Sequence, residues 1–272
     1  MRLIDSHAHL QAEAFGPDRG AVIAAARAAG VERILVPGWD APSSVAALDL
    51  AREAGVDASA GIHPHVAADA DDAAWATVVE LAADPLVVAV GETGLDYDRG
   101  FSPRDSQLAN LRRHFALARE LGKPVIIHCR SRPGERDAHD DLLRELAVAG
   151  AGTPSWPTTD GRPPALLHSF SGPVDYAEAA LSMGLAISFS GLAFRKGEEA
   201  SATVDALVPG ERLLAETDSP YLSPPGAPRR RNEPSWVEVT TRWLAEVRGE
   251  SPDALGEQLV ANYDRIFSRL PT

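Results

Sequence analysis

The sequence spaces its histidines and carboxylates in ways that suit a bound cation. His7 and His9 stand two residues apart within DSHAHL. On an extended strand, residues i and i+2 project from one face, so the two imidazoles can share one ion; two ordinary turn histidines are the bland alternative. Glu92 follows the apolar run VVAV in GETGLD. A carboxylate at the end of a buried strand has to be paired, protonated or metal-bound, because burying it alone is costly. A ligand bridging two cations and a salt-bridged structural Glu both meet that demand. His128 ends VIIH and His168 ends ALLH, each after an apolar run. Asp218, in AETDSPYL, can both ligate an ion and take a proton from water held there. Glu216, two residues earlier on the same face, reads either as a supporting group for the ligands or as a structural carboxylate. Asp96 and Asp98 read as loop carboxylates, and Cys129 as a buried thiol facing the other way from its neighbour His128.

A donor set of nitrogen and oxygen without thiolate suits Zn, Mn, Fe or Co and fits Mg less well. His7, His9, Glu92, His128, His168 and Asp218 are more groups than one catalytic zinc needs, so two divalent ions are expected. Two such ions close together would polarise a phosphoryl oxygen and activate water.

These residues are far apart in sequence, and the elements around them say how they could meet. Short β-branched runs at 2–5, 33–37, 57–62, 86–92, 124–129, 164–170, 185–191 and 212–218 alternate with segments of helical period. The helices are expected at 18–29, 42–54, 72–83, 104–121, 138–149, 173–183 and 197–207, with two more, 235–247 and 252–268, closing the chain. Eight strands each followed by a helix predict a single-domain (β/α)8 TIM barrel over residues 1–272. Runs such as VVAV and VIIH are continuously apolar, as parallel strands covered on both faces should be. His7, His9, His63, Glu92, His128, His168 and Asp218 all fall at or just beyond predicted strand ends, and in a barrel those ends converge on the catalytic face. Residues 150–164, GAGTPSWPTTDGRPP, read as a surface loop inserted before the sixth strand.

Composition narrows the partners. The apolar fraction of 44% and charged fraction of 24% are those of a packed globular chain. The formal net charge of −13 argues against a broad basic nucleic-acid surface, which leaves bound cations and the run Arg229, Arg230, Arg231 as local attraction for phosphates. Cys129 is the lone cysteine, and no signal segment or long apolar stretch appears, so a soluble cytoplasmic protein with no membrane contact and no obligate protein partner is expected.

With these motifs in hand, the sequence resembles the TatD family of metal-dependent hydrolases, deoxyribonuclease-like members of the amidohydrolase superfamily. The similarity runs through DSHAHL (5–10), GIHPH (61–65), VGETGLDY (90–97), HCR (128–130), HSFSG (168–172), ETDSPYL (216–222), RRNEP (230–234) and NYDRIF (262–267). The resemblance implies that His7, His9, Glu92, His128, His168 and Asp218 hold metal, with Glu92 and Asp218 central to catalysis. It also implies that His63 lies near a substrate phosphate and that Arg231 helps bind it, against the plainer readings of a loop histidine and a solvated charge run. The implied activity is a divalent-cation-dependent nuclease, often magnesium-linked, acting on DNA ends, with RNA or tRNA as further substrates. A metal-dependent amide or ester hydrolase, such as an aminoacyl-tRNA deacylase, is the alternative. The sequence departs from the family pattern after HCR, where SRPGE precedes RDAHDDLL (136–143); an insertion near 131–136, beside the mouth, bears on the place of Arg130.

Overall fold

A computed structural model describes residues 1–156 and 161–268. It contains eight parallel strands: β1 (Leu3–Asp5), β2 (Val31–Pro37), β3 (Asp57–Ala60), β4 (Val87–Asp96), β5 (Val125–Arg130), β6 (Ala165–Leu167), β7 (Ala186–Phe189) and β8 (Leu213–Ala215). They pair in sequence order in one sheet, and helices follow them: α1 (Arg19–Ala28), α2 (Ala41–Ala54), α3 (Asp72–Ala82), α4 (Arg104–Leu121), α5 (Asp137–Ala149), α6 (Val174–Ser182), α7 (Ser201–Leu207), α8 (Val237–Arg248) and α9 (Pro252–Ile266). The expected barrel is the observed fold. Residues 157–160, inside the expected 150–164 loop, lie outside the described residues; before them, Trp156 is buried edge-on to Phe115 of α4 at 5.2 Å.

The barrel closes beyond the strands themselves. Ser6 N–H donates to Ala215 O at 3.1 Å, Asp218 N–H to His7 O at 2.9 Å and His9 N–H to Ser219 O at 2.7 Å. Buried Asp5 locks this seam by accepting from Thr217 N–H at 2.9 Å and Thr217 O–H at 2.6 Å. Burial pushes the Asp5 carboxyl up to about 8 in spite of these donors. Two candidate ligand segments therefore form the seam that joins the first strand to the last.

Local sequence explains the element ends. Asp40 caps α2, accepting from Ser43 N–H at 2.7 Å, while Ser43 Oγ accepts from Asp40 N–H at 2.9 Å, and Gly55 ends the helix with φ 64°. Strand β4 runs to Asp96 rather than stopping at the expected 92, because its second half is pinned to β5: Gly94 pairs with His128 and Asp96 with Arg130. Gly94 has φ 143°, and a Cβ there would collide with the His128 carbonyl. Conversely, β6 and β8 are shorter than their apolar runs, so His168 and Asp218 stand on the loops that leave them.

One buried histidine belongs to the scaffold. His114 of α4 accepts the Ile62 N–H on Nε2 at 3.0 Å and gives its Nδ1 proton to Asn110 O at 2.7 Å, while Asn110 Nδ2 donates to Ile62 O at 2.6 Å. The pair clamps the backbone next to His63. Burial pushes the His114 imidazole down to about 3, so between pH 6.5 and about 3 the unfolded chain binds a proton that the folded chain refuses. Stability contributed by neutral His114 is thus present above pH 6.5 and lost as pH falls, by up to about 1.4 kcal/mol per pH unit. Urea unfolding of the His114→Gln variant between pH 7 and 5 is expected to show a shallower decline than the parent; an equal slope would mean that His114 is not what titrates.

Candidate metal centre

The strand ends bring the expected groups together around one carboxylate. Glu92, 2% exposed, turns its two oxygens to different histidines. Its Oε2 faces His7 Nε2 at 3.3 Å and His9 Nε2 at 3.9 Å. Its Oε1 faces His168 Nε2 at 3.0 Å, His63 Nε2 at 3.1 Å and His128 Nδ1 at 3.4 Å. Asp218 adds Oδ1 to the first group, 3.3 Å from His9 Nε2 and 3.8 Å from His7 Nε2. The His7 and His168 rings stack in parallel, with centroids 3.9 Å apart. The loops that present Asp218, Ser169 beside His168, and Leu222 all hold positive φ of 53°, 44° and 48°, a backbone strain that tends to accompany functional sites.

Hydrogen bonds to the far side of each ring decide which nitrogen is free. His128 Nε2 lies 3.0 Å from Asp96 Oδ2, and His168 Nδ1 lies 3.2 Å from Glu216 Oε1. Each carboxylate takes the N–H of its ring and turns the opposite nitrogen toward Glu92, the arrangement that orients metal-binding histidines; that nitrogen donates to Glu92 while the ring is charged and offers a lone pair once the proton leaves. His63 differs. Its Nδ1 accepts from His65 N–H at 3.1 Å, so in the neutral ring Nε2 carries the proton and faces Glu92 as a donor. Burial pushes His63 down to about 4, against the pull of Glu92, and at neutral pH it is an uncharged hydrogen-bond donor.

A divalent cation fits this donor set. His7 Nε2 and His9 Nε2 point at each other across 3.2 Å, while their buried Nδ1 atoms find no partner among the described residues. Converging imidazole and carboxylate atoms within 4.8 Å of one another occur in His7, His9 and Asp218, in His7, Glu92 and His168, and in His63, His65 and His128. The electrostatics agree. Burial alone would raise Glu92, yet His63, His168 and His7 hold it well below the usual carboxylate range. Burial likewise opposes the charge on His168 and His128, but Glu92 with Glu216 raises the first, and Asp96 with Glu92 the second. Protons and a cation thus compete for the same lone pairs.

A profile of the family TatD related DNase matches residues 4–268. The chain belongs to this family. It is 39% identical to the 3′-5′ ssDNA/RNA exonuclease TatD of Erwinia billingiae, over 99% of this chain and 100% of that one. It is 35% identical to the uncharacterized metal-dependent hydrolase YabD of Bacillus subtilis, over 97% and 98% of the two chains. Among solved structures, YjjV, a TatD homologue from Escherichia coli, superposes with a TM-score of 0.83 at 29% identity, covering 99% of each chain. As a TatD-type protein the chain is a metal-dependent hydrolase.

The remaining expected residues divide. His63 lies inside the cluster and lines its cavity of about 580 Å³, as does Arg130, whose Nε is 3.4 Å from Asp98. Arg231 is not among the residues lining that cavity. Its guanidinium holds Asp18 at 2.7 and 2.8 Å, Glu233 at 2.7 Å and the Ala14 carbonyl at 2.9 Å, over the Phe15 ring. Cys129 is half-buried, and burial pushes its thiol up to about 12, which suits no nucleophile. Asp96, read from sequence as a loop carboxylate, is instead a buried strand residue holding His128 and, at 2.7 Å, His65. The signal was its spacing, four residues after Glu92 on what proves to be the same strand.

Replacing Asp96 by Asn removes the charge that fixes the His128 tautomer in this TatD-type cluster. Its apparent metal dissociation constant, measured by competition with a chromogenic chelator, is expected to rise about 10- to 100-fold with the circular dichroism spectrum unchanged. Unaltered affinity would exclude that positioning role.

Proposed function

We propose that this chain is a divalent-metal-dependent exonuclease that cleaves phosphodiester bonds at the ends of single-stranded DNA, and of RNA by the same chemistry. The observation that carries the reading is the split attachment of Glu92, with one oxygen facing His7 and His9 and the other facing His128 and His168. In this reading His7, His9 and Asp218 would hold one ion and His128 and His168 a second, with Glu92 offering one oxygen to each side. Zn, Mn and Mg are the candidate ions. Bound there, the pair would supply Lewis-acid polarisation of the phosphoryl oxygen and an acidified water.

The chain's own groups supply the rest. Asp218, kept ionised by His9 and His7 although burial opposes it, is placed to accept the proton of the attacking water. Neutral His63, whose Nε2 proton faces Glu92 Oε1 at 3.1 Å, would turn that proton to a non-bridging phosphate oxygen once cations take up the carboxylate. Arg99 and Arg130, both on the cavity wall, give the local positive charge that a chain of net charge −13 otherwise lacks. Arg231 is dropped from the substrate contacts because its donors are engaged elsewhere. The name of the Erwinia relative supports the substrate class. No helix among the described residues is long and apolar enough to cross a membrane, and we place the enzyme in the cytoplasm, where its single thiol would stay reduced. Residues 131–136, between β5 and α5, remain our candidate for an insertion beside the mouth, whereas the described residues of 150–164 lie between α5 and β6, at the opposite end of the barrel.

The test is cleavage of 3′-labelled single-stranded DNA, duplex DNA and a model aminoacyl ester, with and without chelator. Single strands are expected to be shortened, with activity abolished by chelation and restored by added divalent metal. Asp218→Asn is expected to lower kcat at least about 100-fold with the fold intact. Chelator-resistant cleavage, or turnover of the ester alone, would overturn the proposal.

A further inference from the structure

Two large aromatic side chains stand uncovered at the mouth of the cluster. Phe101 is 67% exposed and Tyr221 59% exposed, and both line the same cavity as the ligand set. Much of each ring is left uncovered in the free chain, and a pair of such aromatics in a cleft points to a ligand. They belong to different halves of the site. Phe101 packs edge-on to His65 at 4.8 Å, and His65 shares Asp96 with His128. Tyr221 packs edge-on to His9 at 5.9 Å, beside Asp218. Glu92 lies between these halves, one oxygen toward each.

The backbone that carries both rings is held in place. Ser102, next to Phe101, donates to His65 O at 3.0 Å and accepts from Ala68 N–H at 3.1 Å, while Gln107 Nε2 donates to Ser102 O at 2.8 Å. Tyr221 N–H donates to Asp218 O at 2.9 Å, and the preceding Pro220 accepts from Asn232 N–H at 3.0 Å. An anchored backbone lowers the entropic cost of stacking a base on the rings it carries.

We propose that Phe101 and Tyr221 are stacking platforms for the two nucleobases on either side of the scissile phosphate, one ring on each side of the metal cluster. The inference rests on the nuclease reading above. A phosphodiester seated at Glu92 carries one nucleoside toward the His128 half and one toward the His9 half, and each meets an aromatic face. Every base offers such a face, so the platforms impose little sequence preference. Stacking also supplies affinity that salt does not screen, which suits a strongly acidic chain. Bases of a duplex are already stacked and paired, so the platforms select single strands.

The test uses single-stranded oligonucleotides that are intact, abasic at the 3′-terminal nucleoside, or abasic at the one before it. With the parent enzyme, removing either base is expected to lower kcat/KM roughly 5- to 150-fold. Phe101→Ala should cause a similar loss on the intact strand, and that loss should vanish when one of the two positions is abasic. Tyr221→Ala should couple in the same way to the other position. Losses that multiply independently at both positions for both variants would overturn the stacking proposal while leaving the nuclease reading in place. No cleavage of any strand by the parent enzyme would instead overturn the nuclease reading, and this inference with it.

Discussion

The structure turns on an almost fully buried carboxylate. Removing an ionised carboxylate from water costs several kcal/mol even after local relaxation, and Glu92 at 2% exposure is kept charged by what surrounds it. The compensation comes from strands that are remote in sequence: His7 and His9 after β1, His63 after β3, His128 on β5 and His168 after β6. An open sheet would spread these groups along its edge. Closing the sheet into a barrel brings them within hydrogen-bonding range of one residue, so the architecture and the charge depend on each other.

Around that carboxylate the imidazoles are sorted by their backs. Asp96 and Glu216 take the outward protons of His128 and His168, whereas a backbone N–H occupies Nδ1 of His63. The nitrogen that faces Glu92 is thus one that can give up its proton in His128 and His168 and one that keeps it in neutral His63.

Much of this was legible in the sequence. The barrel could be read because parallel strands buried on both faces leave uninterrupted apolar runs such as VIIH and VVAV, and because the helices between them keep a clear apolar stripe. The convergence of His7, His9, Glu92, His128, His168 and Asp218 could be read because these residues sit where those runs stop. Asp96 could not, since Thr93 and Gly94 break the apolar run and only the tertiary ladder with β5 carries β4 onward. Arg231 misled for a related reason: its chief partner, Asp18, is 213 residues away, and nothing in RRNEP announces an ion pair with the start of α1. Short β8 was likewise invisible, because RLLAETD alone does not say that the backbone turns into the left-handed region at Asp218.

The seam between Ser6–His9 and Ala215–Ser219 joins stretches about 210 residues apart in the chain. Loop-closure entropy has to be met before so distant a contact is rewarded, and the His9–Asp218 half of the cluster forms only as the last strand closes against the first. Half of the cluster is thus a by-product of completing the fold, and a partly formed barrel that lacks the seam does not hold it.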